Sequence, residues 1–200
     1  MGVLAATVAA AVTAVGVVSC GPRTPGPVTP PASSQQAGPQ PTADVSPAGD
    51  IPDNQAFITY TASDYSFTLK VPEGWAKTDV ADGVTFTDKF NAITVTSRPT
   101  VMAPTVDSVR RDLPGILKAT PGYQPGAVTE VNRVGGQAIL ITYGADSPPN
   151  PVTGKVIKQS VERYEFYRSG HQATVTLAAP VGADNVDPWH IVTDSFTWMK

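Results

Sequence analysis

From Asp64 to Val71 apolar and polar residues alternate, with Tyr65, Phe67, Leu69 and Val71 on one side. A period of two predicts a strand buried on one face. Pro72-Glu73-Gly74-Trp75 then turns the chain. Alternation resumes in Val84-Thr85-Phe86-Thr87 and in Ala92-Ile93-Thr94-Val95-Thr96, with Asp88 to Asn91 as the hairpin loop between them. The period changes after Pro104. Val106, Val109, Leu113 and Ile116 recur at spacings of three and four, which predicts an amphipathic helix with Thr105 as its N-cap. Pro114-Gly115 should kink or end it, because proline removes one hydrogen bond and clashes a turn back.

Three more strands are expected at Gln137 to Tyr143, Lys155 to Tyr167 and Gln172 to Ala179. The last of them sets Ala173, Val175, Leu177 and Ala179 on one face. A closing helix follows, with Asp187 as its cap and Pro188 at the first helical position, and with Trp189, Val192 or Thr193, and Phe196 on one face. Roughly six or seven strands with short turns, one helix inside and one at the end, predict an α+β domain: an antiparallel β-sheet packed by helices.

Upstream of this domain the pattern disappears. Val3 to Val18 is apolar and uncharged, about as long as the hydrophobic part of a signal peptide and short for a membrane span of about 20 residues. It ends in Val17-Val18-Ser19-Cys20, which resembles the bacterial lipobox. The expectation is a signal peptide over residues 1–19, with Cys20 carrying a diacylglyceryl group on its thiol and acyl chains such as palmitate. The alternative is an uncleaved apolar anchor. Signal peptides open with Lys or Arg, and this run has neither. A start codon further upstream, or truncation of the chain, is expected for that reason. Residues 20–55 hold nine prolines, from Pro22 to Pro52, among Ser, Thr, Ala, Gln and Gly. Such a stretch buries no core. It is expected to be a tether reaching roughly 100 Å when extended and roughly 30 Å as a coil. The folded domain is then expected over residues 56–200.

Composition narrows the function. The charged fraction is 16% and the net charge is -3, which argues against a nucleic-acid partner. Cys20 is the single cysteine, so no internal disulfide forms, and if it is lipidated no thiolate remains for catalysis. No nucleophile elbow, phosphate loop or dinucleotide fingerprint is present. Gly135-Gly136 reads as a turn. His171 and His190 are the only histidines and have no paired Cys or His of a zinc site nearby in sequence. Asp79 and Asp82-Gly83 lack the further oxygen ligands of a calcium loop and read as a hairpin. Arg110-Arg111 and Asp112 make a charged helix face. Glu162, Arg163 and Glu165 either pair across strands or mark a polar interaction surface. No catalytic residue, cofactor or metal ligand is assigned.

The run Asp64-Tyr65-Ser66-Phe67-Thr68-Leu69-Lys70-Val71-Pro72-Glu73-Gly74-Trp75 resembles the opening of PsbP-like domains, an aromatic strand running into a Pro-x-Gly-Trp turn. Actinobacterial lipoproteins of the LpqN/LpqT type are similar and share the lipobox and the Pro/Thr-rich tether. The order of elements over residues 57–198 also fits. The resemblance implies a central antiparallel sheet between helices, and typically a non-enzymatic accessory or binding role. Some LpqN-type proteins are associated with envelope glycolipid transport. The shared motif is structural, so it carries over no functional residue, and Trp75 is expected to pack in the core. Three functions follow in order: a lipid-anchored, non-catalytic binding module of the cell envelope, held to the membrane by its lipid and docking an envelope protein; a carrier of an envelope lipid or glycolipid, with an apolar pocket beside the helix at 105–117; and an enzyme with an unfamiliar site.

Overall fold

The computed structural model describes residues 49–199. The apolar run, Cys20 and the Pro-rich stretch up to residue 48 lie outside the described residues. The elements follow in the order β1 (Phe57–Thr61), β2 (Phe67–Pro72), β3 (Ala76–Val80), β4 (Gly83–Asp88), β5 (Asn91–Pro99), α1 (Val106–Leu117), β6 (Gln124–Arg133), β7 (Gly136–Asp146), β8 (Lys158–Arg168), β9 (His171–Pro180), α2 (Val186–Asp194) and β10 (Thr197–Trp198). The strands form a seven-stranded sheet in the order β3-β4-β5-β9-β8-β7-β6 and a three-stranded sheet in the order β1-β2-β10. Every strand pair is antiparallel. The domain is therefore α+β, as the alternation predicts.

Burial follows the pleat. Ala173, Val175, Leu177 and Ala179 of central strand β9 are buried on one face, beside Ile93 and Val95 of β5 and Tyr164 and Phe166 of β8. Phe67, Leu69 and Val71 of β2, with Trp189, Val192 and Phe196 from the α2 region, close over this face and complete the main core. On the opposite face Val109 of α1 packs on Val128, Ile139 and Ile141 of β6 and β7.

Phe196 ties these layers together. Its ring centroid lies 4.3 Å from Phe166 and 5.3 Å from Phe67, both stacked, and 5.2 Å from Trp198, edge-on. Gly135 in the β6–β7 hairpin presses on the same ring. A Cβ there would stand 2.6 Å from a Phe196 ring carbon and from its carbonyl oxygen, which only glycine avoids. The turn expected at Gly135-Gly136 falls on Val134-Gly135, with Gly136 opening β7, and Gly135 is also a packing site.

Several expectations shift. The chain joins the fold before residue 56. Ile51 is buried and its N–H donates to Asn185 Oδ1 at 2.8 Å, while the Gly49 carbonyl accepts from Asn91 Nδ2 at 2.9 Å and Asn185 Nδ2 at 3.0 Å. Ile51 supplies the apolar anchor that a purely solvated tether would lack. Asn185, not Asp187, occupies the cap position of α2, but its side chain is committed to this network. Pro188 is then the third helical residue rather than the first. Tyr65 does not join the strand face. It sits in the β1–β2 turn with φ 57° and is 70% exposed. Helix α1 runs through Pro114 to Leu117. A capping box between Thr105 and Ser108 secures its start, and buried Leu117 holds its end. Strands β1, β3, β6 and β10 have no counterpart in the sequence reading. β3 is exposed along its whole length, and β6 buries only Val128 outright, so neither shows a clean alternation.

Replacing Phe196 by alanine empties the junction of both sheets. The expected loss is about 3–5 kcal/mol of unfolding free energy in a urea titration. A loss below about 1 kcal/mol would contradict the clamp.

Candidate binding surface around helix α1

Helix α1 lies over β6 and β7 and leaves a cleft on each flank. One flank is polar. A cleft of about 410 Å³ runs between the lead-in segment at 100–105, the helix residues Val109, Arg111 and Asp112, and Arg163, Glu165 and Gln172 of the sheet. Its floor is an ion pair. Arg163 Nη2 lies 2.9 Å and Nε 3.0 Å from Glu165 Oε1, and Glu165 is almost fully buried. The two residues are two apart on β8 and so share one face of the sheet. Of the two roles expected for these charges, the cross-strand one fails. Pairing runs along a single strand, and Glu162, on the other face, instead accepts from the Tyr164 hydroxyl at 2.7 Å. At the lip of the cleft Val101 is 92% exposed and Met102 76% exposed.

The other flank is more apolar. A cleft of about 420 Å³ is lined by Leu113 and Pro114 of α1, Tyr123, and Pro125 and Val128 of β6. Arg110 crosses it and donates from Nη2 to the Val128 carbonyl at 3.0 Å. The charged helix face therefore divides: Arg110 points to the strand edge, while Arg111 and Asp112 line the polar cleft.

Beyond α1 the same sheet face continues in rows of threonine. Thr85, Thr94 and Thr176 stand side by side across β4, β5 and β9 and lead to Arg163. Thr96 and Thr174 lead likewise to Glu165. The hydroxyls of Thr85 and Thr94 are 2.9 Å apart. These short side chains make a flat, polar floor that runs into the cleft.

On the opposite face Arg133 reaches the Tyr164 hydroxyl and Thr193 Oγ1, each at 3.2 Å, and Asp194 at 3.5 Å. Burial, aided by the hydrogen bond to Glu162, pushes the Tyr164 phenol up to about 12. This network fixes α2 to the sheet. It escapes sequence reading because its members come from three separate elements, β6, β8 and α2.

The two histidines are placed apart. His171 opens β9 beside Asp64, Tyr65, Arg168 and Trp198 at an open depression. His190 on α2 lies 3.8 Å from the half-exposed Asp194. Neither meets a buried carboxylate. Asp79 pairs with Lys77 at 3.4 Å, and Asp82 turns the β3–β4 hairpin with φ 61°. Among the described residues no group of three or more His, Cys, Asp or Glu side chains is arranged to hold a metal. Cys20 lies outside the described residues. Trp75, expected in the core, packs against it while only partly buried.

No protein-family model matches the chain, and no curated protein matches it in sequence. Solved structures do. Cyanobacterial PsbP (CyanoP) from Synechocystis is similar at 14% identity and a TM-score of 0.51, over 77% of this chain and 100% of that one. The fold is that of the PsbP-like proteins. LpqN, a protein involved in cell envelope biogenesis of Mycobacterium tuberculosis, is similar at 16% identity and a TM-score of 0.44, over 74% of this chain and 93% of that one. A Bacteroides thetaiotaomicron structure is similar at 10% identity and a TM-score of 0.49, over 71% of this chain. The chain spans about half of that structure's length, 48%.

The Arg163–Glu165 pair makes a quantitative prediction. Arg163→Ala strands a buried carboxylate and should cost about 3 kcal/mol in urea unfolding, whereas the double change Arg163→Leu with Glu165→Leu should cost under about 1 kcal/mol. Equal losses in the two variants would show that the charges are not coupled.

Proposed function

We propose that this protein is a lipid-anchored extracytoplasmic lipoprotein whose PsbP-like domain is a non-catalytic accessory module of the cell envelope, docking a protein partner through the α1 side of the seven-stranded sheet. The polar cleft carries this reading. It joins a desolvated ion pair, exposed charges at Arg111 and Asp112, and two exposed apolar side chains, Val101 and Met102, at one lip. Protein interfaces combine apolar anchors with a polar rim in this way. The same groups are poor catalysts: Glu165 is neutralised by Arg163, and no histidine lines the cleft. The anchor rests on the lipobox-like run ending at Cys20 and the Pro-rich tether after it. Two or more acyl chains hold a protein stably to a bilayer, where one does so only marginally.

A second reading, carriage of an envelope lipid or glycolipid, is favoured by the cleft between Leu113, Pro114, Tyr123 and Val128, whose size of about 420 Å³ suits a small apolar ligand.

One experiment addresses both readings. Cys20→Ala is expected to move the protein out of the membrane fraction, or to leave the signal peptide uncleaved, and the released domain is expected to show its bare mass in native mass spectrometry. Normal processing with membrane retention would defeat the anchor, and a co-purifying lipid mass would replace docking by carriage.

A further inference from the structure

The seven-stranded sheet ends in two edges, β3 and β6. Edge strands expose unpaired backbone groups, and proteins protect them by keeping them short or charged. β3 fits that pattern: it is five residues long and carries the Lys77–Asp79 pair. β6 is ten residues long, and between Val128 and Asn132 its only charge is Glu130. Arg133, at its end, is engaged with Thr193, Tyr164 and Asp194.

The direction of the β6 backbone follows from its hairpin. Arg133 and Gly136 flank a two-residue loop, and residues so placed exchange their hydrogen bonds. Alternation then turns the N–H and C=O groups of Asn132, Glu130 and Val128 away from β7, toward the open edge. The Val128 carbonyl obeys this rule, since Arg110 reaches it from outside. That arginine, and the break in register between Pro125 and Val128, close the first half of the edge. The stretch left for pairing is Thr129 to Arg133, in which the Asn132 carbonyl already accepts from Arg133 Nη1 at 3.2 Å and keeps its second lone pair for a partner.

We propose that a second copy of this chain pairs with this stretch, antiparallel across a two-fold axis at Val131, so that the two seven-stranded sheets continue through β6. In this register Glu130 lies opposite Asn132 of the partner copy, and the two such pairs supply about four main-chain hydrogen bonds. Thr129 meets Arg133 of the partner copy, so no like charges face each other. Centring the axis on Glu130 instead would oppose two carboxylates, which is unfavourable. The self-pairing also accounts for Val134, an apolar loop residue that is 77% exposed. It comes opposite Val128 of the partner copy, on the floor of the apolar cleft with Leu113 and Tyr123. An extended peptide from another protein would satisfy the same backbone groups but would give Val134 no role. A two-fold contact needs only one self-complementary patch, which the stretch from Thr129 to Val134 provides.

The test uses the full chain carrying Cys20→Ser, so that an introduced thiol stands alone. In a non-hydrogen-bonded pair the Cα atoms are about 4.5 Å apart, within the range a disulfide spans. Val131→Cys is therefore expected to convert to a covalent dimer under mild oxidation, while Thr78→Cys on the other edge stays monomeric. Adding Glu130→Pro should cut the Val131→Cys dimer at least about tenfold, because it removes an outward N–H that the monomer does not use. A Val131→Cys chain that stays monomeric, equal cross-linking at Thr78→Cys, or no effect of Glu130→Pro would overturn the proposal. Should Val131→Cys fail to fold, light scattering on the Cys20→Ser chain decides instead. A concentration-dependent dimer that Glu130→Pro abolishes is expected, and a monomer at all concentrations up to about 1 mM, a contact worth less than about 4 kcal/mol, would overturn it.

Discussion

The architecture depends on one aromatic contact. Phe196 follows α2 and points into the space where β2, β8, β10 and the β6–β7 hairpin converge. The small sheet has only three strands, and its last strand is two residues long. With so short a third strand it is close to a two-stranded hairpin, which is marginal by itself. Stacking of Phe67 and Phe166 on either side of Phe196 joins it to the large sheet and orders the C-terminal strand. The requirement for glycine at position 135 arises from the same ring.

At the other end of α2, polar groups do the corresponding task. Asn91, Asn185 and the Gly49 carbonyl form a buried hydrogen-bonded cluster that brings the incoming chain onto the ends of β5 and α2. Each amide side chain is satisfied within it, as a buried polar group must be.

Legibility in the sequence followed burial. Strands β2, β4, β5 and β9 each bury one face and alternate visibly, and α1 shows its helical period together with its cap. β3 and β6 border solvent, where pairing is set by the backbone and leaves little trace in side-chain polarity. Of the kink or end expected at Pro114, the end does not occur: the proline is exposed while Leu117, beyond it, is buried and holds the last turn. For the candidate site, the charges at Arg111, Asp112, Arg163 and Glu165 stood out in the sequence, but their convergence did not. It requires α1 to lie beside β8, which no local pattern encodes. Gln172 and Met102 join them only through the fold. Asn185 looked unremarkable as well, since its value lies in partners 94 and 136 positions away.

The two faces of the large sheet thus serve different ends. One is consumed by the core. The other is covered by α1 at β6 and β7, and its remainder is a flat threonine surface leading to a cleft with charged walls and an apolar lip. The central claim is that this second face is where a partner docks. The direct measurement is photo-cross-linking in living cells from a benzophenone amino acid placed at Met102 or Arg111 on the cleft, with Ile191 on α2 as the control. The account predicts a single cross-linked protein from both cleft positions and none from Ile191. Labelling of lipid alone, or equal labelling from Ile191, would contradict it.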